Sequence, residues 1–470
     1  MQKPNFIFIL LDDLGWTDLG CYGSQFYETS NLDNLAANSL RFTDAYAACP
    51  VCSPTRASIL TGKYPATLGL TDWIDAAGQT HPCRGKLVDV PYLKQLPQSE
   101  FSLARTLRAG GYATWHVGKW HLGGAGFLPE EHGFEVNVGG CHVGSPYPGG
   151  YFSPWAIPAL ANAAVPDGTY LTDYLTDRAI RLIEGRGGDK RKFDKRPFFL
   201  NLWYYTVHTP IEAKADKIAK YEAKARVLGL DKLETFAEGE PFPTEHKQHL
   251  RVKRRLIQSD PVYAAMIESL DENIGRLLAT LDETGERDNT IIIFTSDNGG
   301  LATAEGSPTC NAPLAEGKGW MYEGGTREPL FIQWPGVTQS HSVCTTPVTS
   351  PDFYPTLLEM AGLEPLPEQH SDGVSLLPLF QDQRLERDAI FWHYPHYGNQ
   401  GGTPGSSIRL GDYKLIEFFE TGKLELYNLR DDIGETADLS HSEPALTQQL
   451  HQRLIQWRKS VEAKIPQPPG

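Results

Sequence analysis

Four apolar runs, each followed at once by polar residues, constrain the fold of this chain more than any other feature. The runs carry β-branched and aromatic residues on both faces, which is typical of parallel strands that helices cover on each side. A helical pattern at 261–281 repeats apolar residues every three or four positions. Alternation of such elements predicts a doubly wound α/β domain whose ligand lies beyond the carboxyl ends of the strands. The runs are 5–11 before Asp12 and Asp13, 112–117 before Lys119 and His121, 197–205 before His208, and 290–295 before Asp297 and Asn298.

The sequence changes character after about residue 381. The stretch 406–429 reads as short antiparallel strands with turns at Gly411 and Gly422, and an amphipathic helix at 444–463 follows it. We therefore expect a large domain at 1–380 and a smaller α+β subdomain at 381–470, with an antiparallel sheet and a terminal helix.

Charge and hydropathy narrow the function classes. A net charge of −15 disfavours a general attraction to nucleic acid or to an anionic membrane. No membrane span is expected, because no apolar run approaches the roughly 20 residues that cross a bilayer. The first strand begins near Asn5 and leaves no room for a signal peptide. The sequence is thus compatible with a cytoplasmic protein, or with a periplasmic or secreted protein whose leader has been removed.

Two pairs of polar residues suit a metal ion. Asp12 with Asp13, and Asp297 with Asn298, offer three carboxylates and one amide oxygen. Such an all-oxygen set favours a hard cation such as Ca²⁺ or Mg²⁺. Each pair alone also fits a helix N-cap or a turn. The repetition of the pattern after two strands favours the metal site.

Cations and imidazoles supply the other candidate chemistry. Lys119 and His121 stand two residues apart, so their side chains share one face of an extended chain. His208 follows another strand, and Lys318 lies in a glycine-rich loop where the backbone can approach a ligand closely. A lysine can bind an anion and a histidine can exchange protons near neutral pH. Taken singly, each of these residues is better explained by solvation or packing.

The segment CPVCSPTRASILTG carries the most specific pattern. The spacing of Cys49 and Cys52 fits a redox pair or half of a zinc site, but no second ligand pair stands at a suitable spacing. The residues after Cys52 predict a short helix, with Pro54 in its first turn and Gly62 as its stop. Cys52 then lies at a helix N-terminus, which attracts anions, with Arg56 about one turn further on.

This segment resembles the sulfatase signature Cys-x-Pro-x-Arg followed by Ala-Ser-Ile-Leu-Thr-Gly. Four further blocks resemble those of type I, formylglycine-dependent sulfatases in the same order: LLDDLGWTDLGCYGS, GKWHLG, SDNGG and GKGWMYEGGTREP. The resemblance covers nearly the whole chain. It implies an arylsulfatase-like sulfuric ester hydrolase with an alkaline-phosphatase-like mixed sheet and helices on both faces.

The resemblance implies that Cys52 supplies the nucleophile. A maturation enzyme that recognises Pro54 and Arg56 would oxidise Cys52 to formylglycine (3-oxoalanine), and Arg56 would then stabilise the formylglycine hydrate. His121 would assist the second hydroxyl of this hydrate. His208 would protonate the leaving alcohol.

The resemblance likewise implies how charge is compensated. Lys119 and Lys318 would hold the sulfate oxygens, and the residue at position 52 would also contact the metal. The ligands of a Ca²⁺ ion would be Asp12, Asp13, Asp297 and Asn298.

Candidate substrate contacts are less specific. His142, in GGCHVGSP, is expected to line the substrate pocket. The region 393–417 is similar to the subdomain that many bacterial sulfatases fold over the active site, and loop packing explains its polar residues equally well. We expect an exo-acting sulfatase for galactose- or N-acetylgalactosamine-type sulfates, with aryl sulfates as further substrates. The candidate sugar contacts in this region are His393, His396, Asn399 and Arg409.

Two other functions stay open at this point. A phosphatase or phosphodiesterase of the same superfamily would use two zinc ions and a Ser or Thr nucleophile, which Cys52 and the all-oxygen set disfavour. A non-catalytic sulfoglycan-binding relative would lack catalytic positions, whereas every expected position is filled here.

Overall fold

The computed structural model describes residues 3–75, 83–185 and 195–469. Its strands in chain order are β1 (Asn5–Leu11), β2 (Leu40–Tyr46), β3 (Ala113–Gly118), β4 (Val136–Val138), β5 (Phe198–Trp203), β6 (Phe236–Pro241), β7 (Arg251–Arg255), β8 (Thr290–Ser296), β9 (Arg327–Gln333), β10 (Val343–Cys344), β11 (Val348–Thr349), β12 (Ala389–Tyr394), β13 (Gly405–Leu410), β14 (Tyr413–Phe418) and β15 (Lys423–Asn428). Its α-helices are α1 (Ser30–Ala37), α2 (Cys52–Thr61), α3 (Pro65–Leu68), α4 (Leu103–Ala109), α5 (Leu171–Gly185), α6 (Ala215–Val227), α7 (Pro261–Glu283), α8 (Glu323–Thr326), α9 (Phe353–Met360) and α10 (Pro444–Ser460).

The central layer is a mixed sheet in the order β10-β2-β9-β8-β1-β5-β3-β4, with β11 also paired to β2. The four strands that the apolar runs predicted, β8, β1, β5 and β3, are neighbours and run parallel. Strand β9 is antiparallel to both of its neighbours, β8 and β2. The predicted α/β class with a mixed sheet is therefore confirmed, and the polar residues after the four strands lie at one edge.

Both faces of the sheet are covered. Alternate residues of β1 face two separate apolar cores: Ile7 and Ile9 pack on one side, and Phe6 and Phe8 on the other. Helices α1, α5, α6 and α7 supply side chains to the first core, and α2, α4 and α9 to the second. This double covering explains why the runs are apolar on both faces.

The three helices predicted from sequence, α7, α2 and α10, form close to their expected bounds. In α7 the Asp260 side chain accepts hydrogen bonds from the first-turn N–H groups of Val262 and Tyr263, which satisfies donors that a helix start leaves open. Helix α2 begins at Cys52 and ends at Thr61, and the next residue, Gly62, has a φ of 70° that suits glycine.

A second, antiparallel sheet, β12-β13-β14-β15, follows the large domain and packs against α10. Its other contacts join Trp392 and Tyr394 to Tyr46 and Cys49 of the large domain. The expected antiparallel sheet and terminal helix are therefore present, while a boundary at 380/381 stays a prediction. Within the three described ranges, no helix combines the length and the apolar character needed to cross a bilayer.

Candidate active site

The carboxyl ends of β1, β3, β5 and β8 bring together residues that are far apart in sequence. Arg56 of α2 joins them from the neighbouring helix, and Lys318 comes from the loop after β8. Three buried carboxylates and three buried cations therefore meet at one edge of the sheet. This active-site cluster consists of Asp12, Asp13, Arg56, Lys119, Asp297 and Lys318.

Each cation of the active-site cluster pairs closely with one carboxylate, and Arg56 Nη2 also lies 3.9 Å from Asp12 Oδ1. Arg56 Nε donates to Asp297 Oδ2 at 2.8 Å, and Arg56 Nη1 donates to the carbonyl of Lys119 at 3.1 Å. Arg56 Nη2 also lies 2.8 Å from Asp297 Oδ2. The arginine therefore fixes the positions of β8 and of the segment after β3.

The two lysines hold the carboxylates that follow β1. Lys119 Nζ donates to Asp12 Oδ2 at 2.6 Å, and Lys318 Nζ donates to Asp13 Oδ2 at 2.8 Å. All four groups are buried. The neighbouring Asp13 carboxylate raises the pKa of Lys318, although burial acts in the opposite direction.

A glycine-rich loop positions Lys318. A Cβ atom on Gly299 would lie 1.8 Å from the carbonyl oxygen of Gly324, and one on Gly317 would lie 2.3 Å from that of Gly300. Only glycine allows the two backbone segments to pack this closely. The GKGWMYEGG block thus packs directly onto the SDNGG turn.

Two oxygen atoms of the site have no hydrogen-bond partner among the residues that the structure describes. These atoms, Asp12 Oδ1 and Asn298 Oδ1, are fully buried. The Asn298 amide donates to Asp13 Oδ1 at 2.8 Å, which fixes its orientation. Burial, followed by the charges of Asp297 and Asp13, raises the pKa of Asp12 to about 8 against the opposing effect of Lys119. A buried acceptor that lacks a partner is costly, so this arrangement fits a hard cation.

Two of the four predicted ligands, Asp12 and Asp13, lie within reach of one ion together with His208. Ligand atoms of Asp12, Asp13 and His208 all lie within 4.8 Å of one another. Asp297 Oδ1 accepts a hydrogen bond from the backbone N–H of Asp13 at 3.3 Å, which places this carboxylate beside them. The oxygens of Asp12, Asp13, Asp297 and Asn298 could therefore hold Ca²⁺, and His208 stands next to this set.

Cys52 lies at the first residue of α2 and contacts His121. Its Sγ is 3.3 Å from His121 Nδ1, while His121 Nε2 lies 2.8 Å from the carbonyl oxygen of Ile74. The hydrogen bond to a carbonyl assigns the ring proton to Nε2, so Nδ1 is the acceptor that faces Cys52. Burial, assisted by Lys119, lowers the pKa of His121 well below its usual value, and burial raises the pKa of Cys52.

His208 lines the same cavity as Cys52 and His121. Its Nδ1 lies 2.7 Å from the carbonyl oxygen of Thr209, which assigns the proton to Nδ1. Its Nε2 lies 3.1 Å from Lys318 Nζ. Burial, followed by the charge of Lys318, lowers the pKa of His208 to about 3. The imidazole is therefore neutral and presents Nε2 beside the lysine.

A cavity of about 360 Å³ opens above these groups. Its buried end is formed by Cys52, His121, His208 and Lys318, and its outer wall includes Trp73, Ser145, Tyr147, Glu305, Asn399 and Gln400. Pockets of roughly 300–1,000 Å³ accommodate small ligands. The size suits one sugar ring with its sulfate.

The structure brings one of the five predicted substrate contacts into this cavity, Asn399. His142 is half-buried beside Gly124, and the cavity lining in the described ranges begins at its neighbour Val143.

The other three predicted contacts are engaged in packing outside the cavity. His393 bonds to Ser406 Oγ at 2.6 Å and to the carbonyl oxygen of Lys464 at 2.9 Å. His396 bonds to Thr71 at 2.8 Å and to Asp89. Arg409 pairs with Asp44 at 2.7 Å and donates to Tyr46. Hydrogen bonding within the protein thus accounts for these side chains.

Sequence reasoning missed several residues of the outer wall. Trp73, Tyr147 and Glu305 stand in loops without a recognisable block around them. Glu305 offered a weak signal, because it follows the SDNGG block by only a few residues. Gln400 directly follows the predicted Asn399.

Two family models match overlapping parts of the chain. A model of the family "Sulfatase" matches residues 4–363, and a model described as N-sulphoglucosamine sulphohydrolase, C-terminal, matches residues 316–460. A sulfatase of Formosa agariphila is 33% identical, covering 97% of this chain and 89% of the relative. N-acetylgalactosamine-6-sulfatase of Homo sapiens is 31% identical, covering 83% of this chain and 68% of the relative.

A solved structure is similar over a comparable length. Ps i-CgsB, crystallised in complex with k-i-k-neocarrahexaose, superposes with a TM-score of 0.75 and 27% identity. The match covers 97% of this chain and 93% of that protein.

Proposed function

Because the chain belongs to the sulfatase family of sulfuric ester hydrolases, we propose that it removes sulfate from sulfated carbohydrates. The observation that carries the proposal is the position of Cys52. Its Sγ lies at the buried end of a sugar-sized cavity, at a helix N-terminus, next to His121 and the active-site cluster. A nucleophile, a proton acceptor and three cations thus surround the place where a sulfate would sit.

Formylglycine formed from Cys52 is the first element of the proposal. Its hydrate would supply a hydroxyl nucleophile whose partner hydroxyl can later release the sulfate. His121 Nδ1 lies where it can accept a proton from the side chain at position 52. Arg56 holds Asp297 and the backbone after β3, so it orients the charged surroundings of that side chain.

Calcium held by Asp12, Asp13, Asp297 and Asn298 is the second element. A bound ion would add positive charge beside the sulfate oxygens. The unpartnered buried oxygens of Asp12 and Asn298 support this assignment. Lys119 and Lys318 would then be able to hold sulfate oxygens, because the ion would share their carboxylate partners. Preorganised charges of this kind stabilise the charge that develops in a transition state.

The leaving alcohol is assigned to the side of His208. This residue lines the cavity, and its Nε2 lies beside Lys318 Nζ. In the proposal His208 Nε2, which accepts a hydrogen bond from Lys318 Nζ, takes up a proton from this lysine and passes it to the departing sugar oxygen. The aromatic and polar outer wall, with Trp73 and Asn399, would bind the ring.

The substrate class rests on relatives and on cavity size. One relative is named for 6-sulfated N-acetylgalactosamine, and one similar structure was solved with a neocarrahexaose. The cavity has room for about one sulfated ring. Exo-action on galactose- or N-acetylgalactosamine-type sulfates is therefore the proposed activity.

Mass spectrometry tests the nucleophile. Trypsin releases one peptide, residues 42–56, that contains both Cys49 and Cys52. In protein produced with a formylglycine-generating enzyme, Cys52 should show the mass loss of a thiol converted to an aldehyde. Cys49, in the same peptide, should remain alkylatable and serves as the internal control. A thiol at position 52 in an active preparation would refute formylglycine as the nucleophile.

Turnover assays test the reaction and its metal. A panel of position-defined monosulfated sugars, an aryl sulfate and the matching aryl phosphate should give turnover of sulfates but not of the phosphate. Removal of Ca²⁺ with a chelator should lower the turnover, and added Ca²⁺ should restore it. Turnover of the phosphate alone would support a phosphatase. Absence of all turnover in fully converted protein would support a binding function.

A further inference from the structure

Glu305 is a carboxylate on the outer wall of the cavity that the proposed reaction does not use. It lies on the same cavity as His208 and Lys318. A carboxylate beside a sulfate-binding centre opposes the binding of anions. Its presence therefore requires a separate explanation.

Two hydrogen bonds from different loops hold Glu305 in place. Gln400 Nε2 donates to Oε1 at 3.0 Å, and Thr209 Oγ1 donates to Oε2 at 3.2 Å. Thr209 directly follows His208, so the carboxylate is tied to the residue proposed to protonate the leaving alcohol. Two carboxylate oxygens offer about four acceptor positions. About half of this capacity thus stays available to a ligand.

The charges around Glu305 differ between the two ends of the cavity. Lys318 supplies a cation at the buried end, next to Cys52. On the outer wall, the described lining residues include the Glu305 carboxylate and no lysine or arginine. A second sulfate or a carboxylate on the substrate would meet the negative charge of Glu305 there. Hydroxyl groups, in contrast, can donate to this carboxylate.

We propose that Glu305 accepts hydrogen bonds from free hydroxyls of the sugar that carries the sulfate, and that it selects against a second anion on that sugar. The substrate class is then a neutral sugar unit with one sulfate. This inference rests on the proposed sulfatase activity and deepens it. Trp73, on the same wall, offers an aromatic surface for the apolar face of such a ring.

The test compares three ligands in protein whose conversion to formylglycine has been measured. They are the monosulfated sugar with the highest kcat/KM in the panel, its derivative with a second sulfate on the adjacent carbon, and an aryl sulfate as reference. The Glu305→Gln variant keeps the size of the side chain and removes its charge. Glu238→Gln, on the exposed face of β6, removes the same charge away from the described cavity lining and is the matched control.

The wild type should prefer the monosulfate over the disulfate by at least roughly tenfold. In Glu305→Gln the ratio of sugar sulfate to aryl sulfate turnover should fall roughly tenfold to a hundredfold, the range for a lost charge-assisted hydrogen bond. The preference against the disulfate should shrink in the same variant, and Glu305→Ala should shift both ratios in the same direction. A deoxy analogue that lacks the bonded hydroxyl should lose turnover in the wild type but not further in Glu305→Gln, which is the signature of direct coupling.

Ratios that stay within about twofold of the wild type in Glu305→Gln and Glu305→Ala would overturn the inference, because contacting residues couple more strongly than that. The proposed function would survive this result, since aryl sulfate turnover and the aldehyde at position 52 test it separately. The same shift in Glu238→Gln would also overturn the inference, because it would trace the effect to overall charge.

Discussion

Two buried charge clusters lie at the same edge of the main sheet. They contain similar residues, but one is placed to bind a ligand and the other stabilises the contact between two parts of the chain. The active-site cluster reaches the described cavity lining through Lys318, and the buried oxygens Asp12 Oδ1 and Asn298 Oδ1 beside it have no hydrogen bonds within the described chain. The second, here called the junction cluster, joins the large domain to the antiparallel sheet. It consists of Glu323, Arg327, Arg409, Lys414 and Glu435.

The charged side chains of the junction cluster form ion pairs with one another. Lys414 Nζ lies 2.9 Å from both Glu323 Oε1 and Glu435 Oε1. Arg327 Nε donates to Glu323 Oε2 at 2.6 Å, and the backbone N–H of Glu323 donates to Glu435 Oε2, also at 2.6 Å. Side chains of Trp392 and Tyr46 pack over its cations. Glu435 Oε1 also lacks a hydrogen bond within the described chain, but it lies 2.9 Å from Lys414 Nζ, whereas Arg56 Nη2 is 3.9 Å from Asp12 Oδ1. Buried charges that are paired this closely stabilise the structure, whereas the less closely paired oxygen of Asp12 is available to a ligand.

Replacement of Cys52 should give the largest loss of turnover with the smallest loss of stability. Cys52→Ala removes the proposed nucleophile, so turnover should fall by on the order of 10⁴-fold or more. The unfolding free energy should change by no more than about 1 kcal/mol, because only the small polar end of one side chain is lost. Enzyme assays and urea unfolding of the purified variant measure the two quantities.

Cys49→Ala is the control for this variant. Cys49 is buried in the same segment, and its Sγ contacts the carbonyl oxygen of Thr71 at 3.9 Å. Turnover should stay within about threefold of the wild type, because no reacting group is removed. Substantial turnover by Cys52→Ala would contradict the nucleophile assignment.

Lys414→Met should instead lower the stability and leave the turnover unchanged. It leaves Glu323 and Glu435 buried around a missing cation, and removal of one partner of a buried pair costs about 3–5 kcal/mol. Turnover per folded molecule should remain close to the wild type, because Lys414 lies outside the described cavity lining. Urea unfolding followed by fluorescence measures the loss.

Lys423→Met provides the matched control on β15 of the same sheet. Lys423 pairs with Glu425 at 2.6 Å, but 59% of its side chain is exposed, and exposed pairs contribute about 0–1 kcal/mol. An equal loss of stability in both variants would contradict the role of the junction cluster.

The sequence predicts the active-site cluster far better than the junction cluster. Apolar runs identify parallel strands, and residues directly after such strands must meet at one edge, so Asp12, Lys119, His208 and Asp297 are placed by local pattern alone. Helix α2 is equally local, because Pro54 and Gly62 define its ends. These features depend on neighbours within a few residues.

Contacts between distant segments give no such signal. Glu323 bonds to Lys414, 91 residues away, and to Glu435, 112 residues away, and no spacing rule connects them. Arg409 is a second example with the same cause. It resembled a sugar contact by its position in a polar region, but its place on β13 directs its guanidinium to Asp44 and Tyr46.

Lys318→Met tests whether the active-site cluster is reserved for a ligand. Loss of one preorganised charge at a reacting centre costs about 10²–10³-fold in turnover, so kcat/KM should fall by this amount. Unlike Lys414→Met, the variant should regain stability when Ca²⁺ is added, because the ion gives Asp13 another cation. Melting temperatures with Ca²⁺ and with a chelator, compared between variant and wild type, measure this effect.

Lys247→Met is the control, since Lys247 Nζ donates to the carbonyl of the cavity residue Asn399 at 3.1 Å while lying outside the described lining. Its turnover should fall by less than about tenfold, because one backbone contact is lost rather than a central charge. A larger effect than that of Lys318→Met would contradict the division between the two ends of the cavity.

Glu435→Gln should have the smallest effect, and this effect should depend on pH. Burial next to Glu323 raises the pKa of Glu435 from its ordinary 4.5 to about 7, against the opposing charge of Lys414. Between these pH values the folded protein holds a proton that the unfolded chain has released, so wild-type stability falls as the pH rises. Besides its partner Lys414, three titratable groups face Glu435, namely Glu323, Tyr322 and Tyr427. The charges of Lys414 and Arg327 hold the pKa of Glu323 below its usual range despite burial, and burial raises the pKa of both tyrosines. None of the three changes charge in this window.

A glutamine at position 435 cannot ionise, so its stability relative to the wild type should rise by about 2 kcal/mol between pH 5 and pH 8. The same substitution at exposed Glu386 should give an offset that does not change with pH. Urea unfolding at several pH values measures both variants. A pH-independent offset in Glu435→Gln would mean that the junction cluster carries its full charge throughout. In that case the two clusters would differ only in their access to the cavity, and not in how completely their charges are balanced.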